Sequence, residues 1–380
     1  MERASVRRRT AVRRRRRIAI VAVLGLALGA FALGVALGDG QPPKATVEPA
    51  AKLPLRRLAG ERLLTSLEGT GISAKLKAAI RAGDLAGVVL FAGSFPSRAA
   101  GRQLIARLQS IPRPPFLREP LLIMVDQEGG LVKRVSGPPD ASAQGMAERG
   151  AAYSRRQGVL TARNLRSLGV NVDLAPVLDI ARPGGTIAET ERGFGDTATK
   201  VAATAVPFAE GLQAGGVAAT AKHFPGLGSA GENTDDAVQR IDLPKARLRA
   251  VDEAPYRAFV AAGGNLVMLS TAIYPALSPA PAAFARPIAT GELRNRLGFE
   301  GVSVTDALET VAVRAFGGPA QAGVAAVRAG SDLLLYTHLG AAEDARRALV
   351  ARLRAGKLDR REFETSVQRV LDLREELGRP

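Results

Sequence analysis

Short, almost wholly apolar runs alternate along most of this chain with longer stretches in which apolar positions recur every three or four residues. The short runs predict strands at Glu61–Leu67, Gly87–Phe91, Pro120–Val125, Val170–Pro176, Val217–Ala221, Asn265–Leu269, Gly301–Val304 and Asp332–Tyr336. The longer ones predict helices at Ile72–Ala82, Arg98–Leu108, Ala151–Leu168, Lys200–Ala214, Pro244–Ala262, Thr290–Leu297 and Pro319–Ala329, and then Ala341–Arg354 and Arg360–Leu377. Runs such as GVVLF, LLIMV, LVML and LLLY do not alternate, which marks parallel strands covered on both faces. Eight strand–helix repeats within residues 55–380 predict an α/β fold, a (β/α)8 TIM barrel. An open doubly wound sheet is the alternative, but no G-x-G-x-x-G turn follows the first strand.

The pattern breaks down at the N-terminus. Residues 1–17 hold nine Arg and one Glu, and Ile18–Gly38 then runs for 21 residues without a charge. That length suffices for a transmembrane helix, and the arginines before it would keep that end cytoplasmic and place the rest outside. The expectation is a signal anchor. A cleaved signal peptide ending near Ala36-Leu37-Gly38 is the alternative, giving a secreted protein. Residues 39–54, rich in Pro and Ala and lacking periodicity, read as a linker. Nucleic acid is a poor partner for the Arg-rich head, because lipid headgroups lie beside it.

Composition adds three limits. There is no cysteine, hence no disulfide or thiolate chemistry, and two histidines cannot build a His-rich metal site. The formal net charge is +17, which suits an anionic envelope polymer such as peptidoglycan fragments or simply a soluble surface. No Trp occurs and 4% of residues are aromatic, which disfavours a long binding cleft lined by aromatic platforms.

In a parallel barrel the chemistry lies at the C-terminal ends of the strands. There the chain places Asp126, Arg134, Arg192, the adjacent pair Lys222 and His223, and Asp306. Each alone has an ordinary explanation; a carboxylate after a strand often caps the next helix, as Asp306 could. Together they offer acceptors and fork-like donors suited to a ligand with many hydroxyls and an amide. Lys222 and His223 would face opposite sides of a regular strand, so the strand is expected to end before them, at Ala221.

Five segments carry a resemblance: DQEGGLVKR (126–134), NVDLAPVLDI (171–180), ERGFGD (191–196), KHFPGLG (222–228) and VTDALE (304–309). In order and content they resemble the motifs of glycoside hydrolase family 3, especially the single-barrel bacterial β-N-acetylhexosaminidases. The resemblance implies retaining hydrolysis of a β-linked sugar, with Asp306 as nucleophile and Asp126, Arg134, Arg192, Lys222 and His223 binding the sugar. It implies no cofactor and no metal. Retention requires a carboxylate beneath the anomeric carbon that forms a covalent glycosyl-enzyme.

One departure is plain. The family's Asp-Ser-His element, whose His is the acid/base, is replaced by Asn233-Thr234-Asp235. Leu227 stands for the second His of KHFPGHG, and Thr271 for a His near the sixth strand. Three readings stay open: a carboxylic acid/base at Asp235, or at Asp236 or Glu232; His338 reaching over from the eighth strand; or a weakened glycan-binding scaffold of the cell envelope.

Overall fold

The computed structural model describes residues 50–379. Eight parallel strands form one sheet: β1 (Leu63–Leu67), β2 (Gly87–Leu90), β3 (Leu122–Val125), β4 (Val172–Asp173), β5 (Ala218–Phe224), β6 (Leu266–Leu269), β7 (Val302–Thr305) and β8 (Leu334–Leu335). Each pairs with its sequence neighbours, β1 also pairs with β8, and a bridge from Val304 to Leu333 links β7 to β8. The ring is therefore nearly closed, as the predicted barrel requires.

Around it lie α1 (Ala74–Ala82), α2 (Arg98–Gln109), α3 (Ala151–Arg166), α4 (Ala198–Ala214), α5 (Ala254–Ala261), α6 (Pro287–Arg296, wound as a π-helix), α7 (Pro319–Ala329), α8 (Leu339–Arg354) and α9 (Arg360–Leu377). The sequence marks many of their ends. Ser73 caps α1 by accepting from the Leu76 N–H, and Gly83 ends it at φ 67°. One predicted helix, Pro244–Ala262, is broken into Lys245–Arg247, a π-turn at Leu248–Asp252, and α5. Pro255 has no N–H to continue the preceding turn, so it serves as a first-turn residue instead.

Two apolar layers result. Leu64, Val89, Met124, Leu174, Met268 and Val304 belong to a cluster inside the ring, while residues such as Leu63, Val88, Ile123 and Val267 face the helices. Val370 and Leu373 of α9 join the inner cluster. The last helix thus floors the barrel at the N-terminal ends of its strands, where Arg374 is fully buried against Glu61 and the Pro120 carbonyl.

The folded domain begins before the predicted boundary at Leu55. Ala50 and Leu53 are buried, and the Ala50 N–H donates to Gln368 Oε1 at 3.0 Å. Burying these two side chains is enough to draw the end of the expected linker onto α9. The predicted cytoplasmic head (1–17), transmembrane span (18–38) and the linker up to residue 49 lie outside the described residues. Among the described residues no helix is long and apolar enough to cross a membrane.

Candidate active site

A cavity of about 350 Å³ opens among the C-terminal ends of the strands. It is built first from the ribbon after β3, where Gln127–Gly129 pairs antiparallel with Val132–Lys133. Gln127 is buried and fully used. Its main-chain N–H donates to Asp173, its Oε1 accepts from the N–H groups of Arg134 and Val135, and its Nε2 donates to the carbonyls of Val135 and Pro138. Gly130, at φ 56°, makes the turn that side chains rarely allow. This framework sets Asp126 and Arg134 on the cavity wall, with Glu128 buried behind it.

β5 supplies the next two groups, and here the expectation is corrected. The strand does not end at Ala221 but continues through Phe224. Both Lys222 and His223 nevertheless line the cavity. The register against β6 shifts between Ala221 and Phe224, and such an irregularity re-aims side chains that regular pleating would send to opposite faces. The Lys222–His223 peptide is cis. Beyond the strand, Gly228 must lack a side chain because a Cβ there would overlap the Ile180 carbonyl.

Lys222 Nζ lies 2.6 Å from Asp126 Oδ1 and 2.7 Å from Glu128 Oε1. Arg192, from the loop after β4, grips both oxygens of Glu128 at 2.8 Å. Burial alone would raise the Glu128 pKa, but the charges of Lys222 and Arg192 outweigh it and hold the carboxyl at about 2. Burial opposes the Lys222 charge in the same way, and Asp126 and Glu128 overcome it, so its pKa is raised. Asp173, buried beneath, behaves oppositely. Desolvation dominates, and its carboxyl is pushed up to about 8 despite the Gln127 N–H and Lys222.

His223 is fixed by Asp179, which accepts from its main-chain N–H and lies 2.8 Å from Nδ1. The carboxylate therefore sets Nδ1 as the protonated ring nitrogen, leaving Nε2 as the other polar atom of the imidazole.

On the far wall stands Asp306, just past β7. Its Oδ1 accepts from the Ala307 N–H at 2.8 Å and its Oδ2 lies 3.5 Å from the Thr234 hydroxyl. Asp235 also lines the cavity, at its solvent-facing rim. Partial desolvation there, together with the negative charge of Asp306, raises its pKa; His223 and a hydrogen bond from Asn233 act against this.

All seven predicted site residues thus line one cavity. The other acid candidates do not. Glu232 and Asp236 are exposed and are not among the lining residues, and neither is His338, whose side chain is 80% exposed. His338 instead pairs through Nδ1 with Glu309 at 2.9 Å. Leu227 and Thr271, where the family motifs have His, are both buried, Leu227 within the apolar core. Sequence reasoning passed over Glu128, Asp179, Thr234 and Glu309. Glu128 was visible inside DQEGG, yet nothing in the sequence said that it, rather than Asp126, would clamp both cations. Among the described residues no cluster of three or more His, Cys, Asp or Glu is placed to hold a metal.

A barrel carrying cations and carboxylates at this end is compatible with a glycoside hydrolase, and residues 60–373 match the family model of the glycosyl hydrolase family 3 N-terminal domain. The chain belongs to that family and is β-N-acetylhexosaminidase-like in sequence and fold. It is 36% identical over 344 residues to a protein of Arthroderma benhamiae described as an uncharacterized secreted glycosyl hydrolase, covering 88% of this chain and 97% of that one. A β-hexosaminidase of Xylella fastidiosa is 36% identical over 303 residues, covering 76% and 87%. The structure of a family 3 β-N-acetylglucosaminidase from Paenibacillus sp. superposes with a TM-score of 0.81 at 33% identity, over 86% of this chain and 64% of that one.

Proposed function

We propose that this chain is a retaining exo-glycosidase that releases β-linked N-acetylglucosamine or a closely related sugar through a covalent glycosyl-aspartate. In the first step an Asp306 oxygen bonds to the anomeric carbon as the bond to the leaving oxygen breaks, and Asp235 gives that oxygen its proton. In the second, the Asp235 carboxylate takes a proton from water, whose oxygen displaces Asp306 from the sugar. Arg134, Arg192, Lys222 and Asp126 hold the sugar hydroxyls, with His223 beside them.

The observation that carries this reading is the pair of carboxylates in one cavity, with partial desolvation and then the charge of Asp306 raising the proton affinity of Asp235. A carboxyl with raised proton affinity beside a second carboxylate suits the division of work between acid and nucleophile. A volume of about 350 Å³ leaves room for about one sugar ring and favours terminal attack. The relationship to a secreted hydrolase and the N-terminal charge pattern support an exported protein, held by the 18–38 segment or released after its cleavage. Peptidoglycan fragments are then the substrate source that suits the positive charge.

The test is to incubate the purified protein with chitobiose and with a nitrophenyl β-N-acetylglucosaminide, and to follow the first-formed anomer by NMR. Release of the β-anomer, with mass spectrometry locating a trapped fluorosugar on Asp306, supports the reading. Release of the α-anomer first, or label on another residue, sinks it. The lost family His favours a second reading, a glycan-binding scaffold, and sugar binding without turnover of either substrate would establish that instead.

A further inference from the structure

At the other end of the barrel, among the N-terminal ends of β1 and β8 and the start of α9, lies a cavity of about 550 Å³. Seven of its lining residues are basic and three acidic, so its charge is far from balanced. At its base three guanidinium groups face one carboxylate. Asp332, fully buried, pairs with Arg294 and with Arg369 at 3.2 Å, and also accepts from Ser366 at 2.5 Å and the Ser303 N–H at 2.8 Å. Its acceptor capacity is spent. Arg62, also buried, donates instead to the carbonyls of Ser331 and Asp332 and lies over the Phe363 ring.

The rim repeats the imbalance. Glu362 is engaged by Arg286, and Asp359 caps α9 by accepting from the Glu362 N–H. No lining carboxylate is left for Arg328, Lys357 or Arg361. Those three side chains are exposed at the mouth of the cavity, while the buried Arg62 guanidinium behind them is met by carbonyls and not by an anion. Burial already lowers the Arg62 pKa to about 10 and depresses that of Arg294 as well. Guanidinium forks meet phosphate oxygens through paired N–H donors.

We infer that this cavity is a second binding site, separate from the sugar pocket, for a phosphate-bearing anion. Arg369 is its principal inner ligand: one of its nitrogens holds Asp332, and its side chain, one-third exposed, is among those lining the cavity. Arg361 and Lys357 are the outer ligands. The volume exceeds a lone phosphate and accommodates a larger molecule that carries one, either soluble or as the headgroup of an anionic lipid.

Calorimetric titration of the full chain with inorganic pyrophosphate, at ionic strength matched with sodium chloride, should show a saturable site. Arg369→Ala should weaken it by at least about tenfold, the loss expected for a charged hydrogen-bonding partner. Arg361→Glu, on the exposed rim and so without risk to the core, should weaken it similarly. Lys222→Ala, in the sugar pocket, should leave it unchanged. Vesicle sedimentation identifies the source of the phosphate. Pelleting with phosphatidylglycerol but not phosphatidylcholine, reduced in both arginine variants, indicates a lipid headgroup; pyrophosphate binding without variant-sensitive pelleting indicates a soluble ligand. No binding beyond the salt control, or binding unaltered in both arginine variants, overturns the inference.

Discussion

Replacing Glu128 by Gln removes the anion that two buried cations share, and the structure sets how the cost should vary with pH. The Glu128 carboxyl falls from its ordinary 4.5 to about 2 in the folded chain. A depressed carboxyl contributes stability above its unfolded pKa and loses it as pH falls through the folded one. The shift of about 2.5 units corresponds to about 3 kcal/mol at neutral pH. About 2 kcal/mol of that disappears between about pH 6 and about pH 3, most of it below about pH 4.5, where linkage is steepest. Glu128→Gln cannot titrate, so the stability gap between the two proteins should narrow by this amount over that interval. Urea unfolding followed by far-UV circular dichroism measures the gap, since the chain has no Trp for fluorescence. Comparing the two proteins at each pH cancels the other carboxylates. A gap that stays constant from about pH 6 to about pH 3 would refute the claim that Lys222 and Arg192 hold Glu128 ionised.

Asp235→Ala should slow cleavage of sugar and alkyl aglycones severely, by about 10²–10⁴-fold, and nitrophenyl ones far less, with azide restoring turnover. Because desolvation and Asp306 raise the Asp235 pKa, the alkaline limb of kcat/KM should lie above where an unperturbed aspartate would place it and vanish in the variant; an unchanged limb would assign it elsewhere. Asp173 presents the opposite linkage to Glu128. Its folded pKa of about 8 exceeds the ordinary 3.8, so the native chain loses stability as pH rises between those values. Asp173→Asn should therefore gain on the unmodified protein by about 1 kcal/mol per pH unit across that window, and parallel stability curves in urea would contradict this.

Much of the architecture is written in the chain. Val88, Val89 and Leu90 are buried on both sides of the sheet, and such unbroken apolar runs have few other uses than a covered parallel strand. Asp126, Lys222 and Asp306 were legible because each stands at or just beyond such a run, whereas Arg134, Arg192 and Asp235 lie further out in the loops and were legible only through the motifs that hold them. What escaped depends on register and on distance. The course of β5 through Lys222 and His223 is set by its irregular pairing with β6, which no local pattern encodes. Glu128 and Asp126 are two residues apart in one motif, and only the approach of Arg192 from another loop separates their roles. The basic cavity was invisible for the same reason, since Arg62, Arg294, Asp332 and Arg369 meet from four distant parts of the chain.

The floor laid by α9 bears on when this protein can fold. Arg374 meets Glu61 across 313 positions, and β1 closes against β8, so the defining contacts join the beginning of the domain to its end. Ordering so large a loop precedes the gain from the contacts it brings together, which makes such topologies slow. Until the last turns of α9 emerge from the ribosome, Val370 and Leu373 are missing from the inner layer, and the ring stays open to water from below. For the exported chain proposed above, that delay would favour translocation, because a barrel that cannot seal early remains threadable for as long as synthesis lasts.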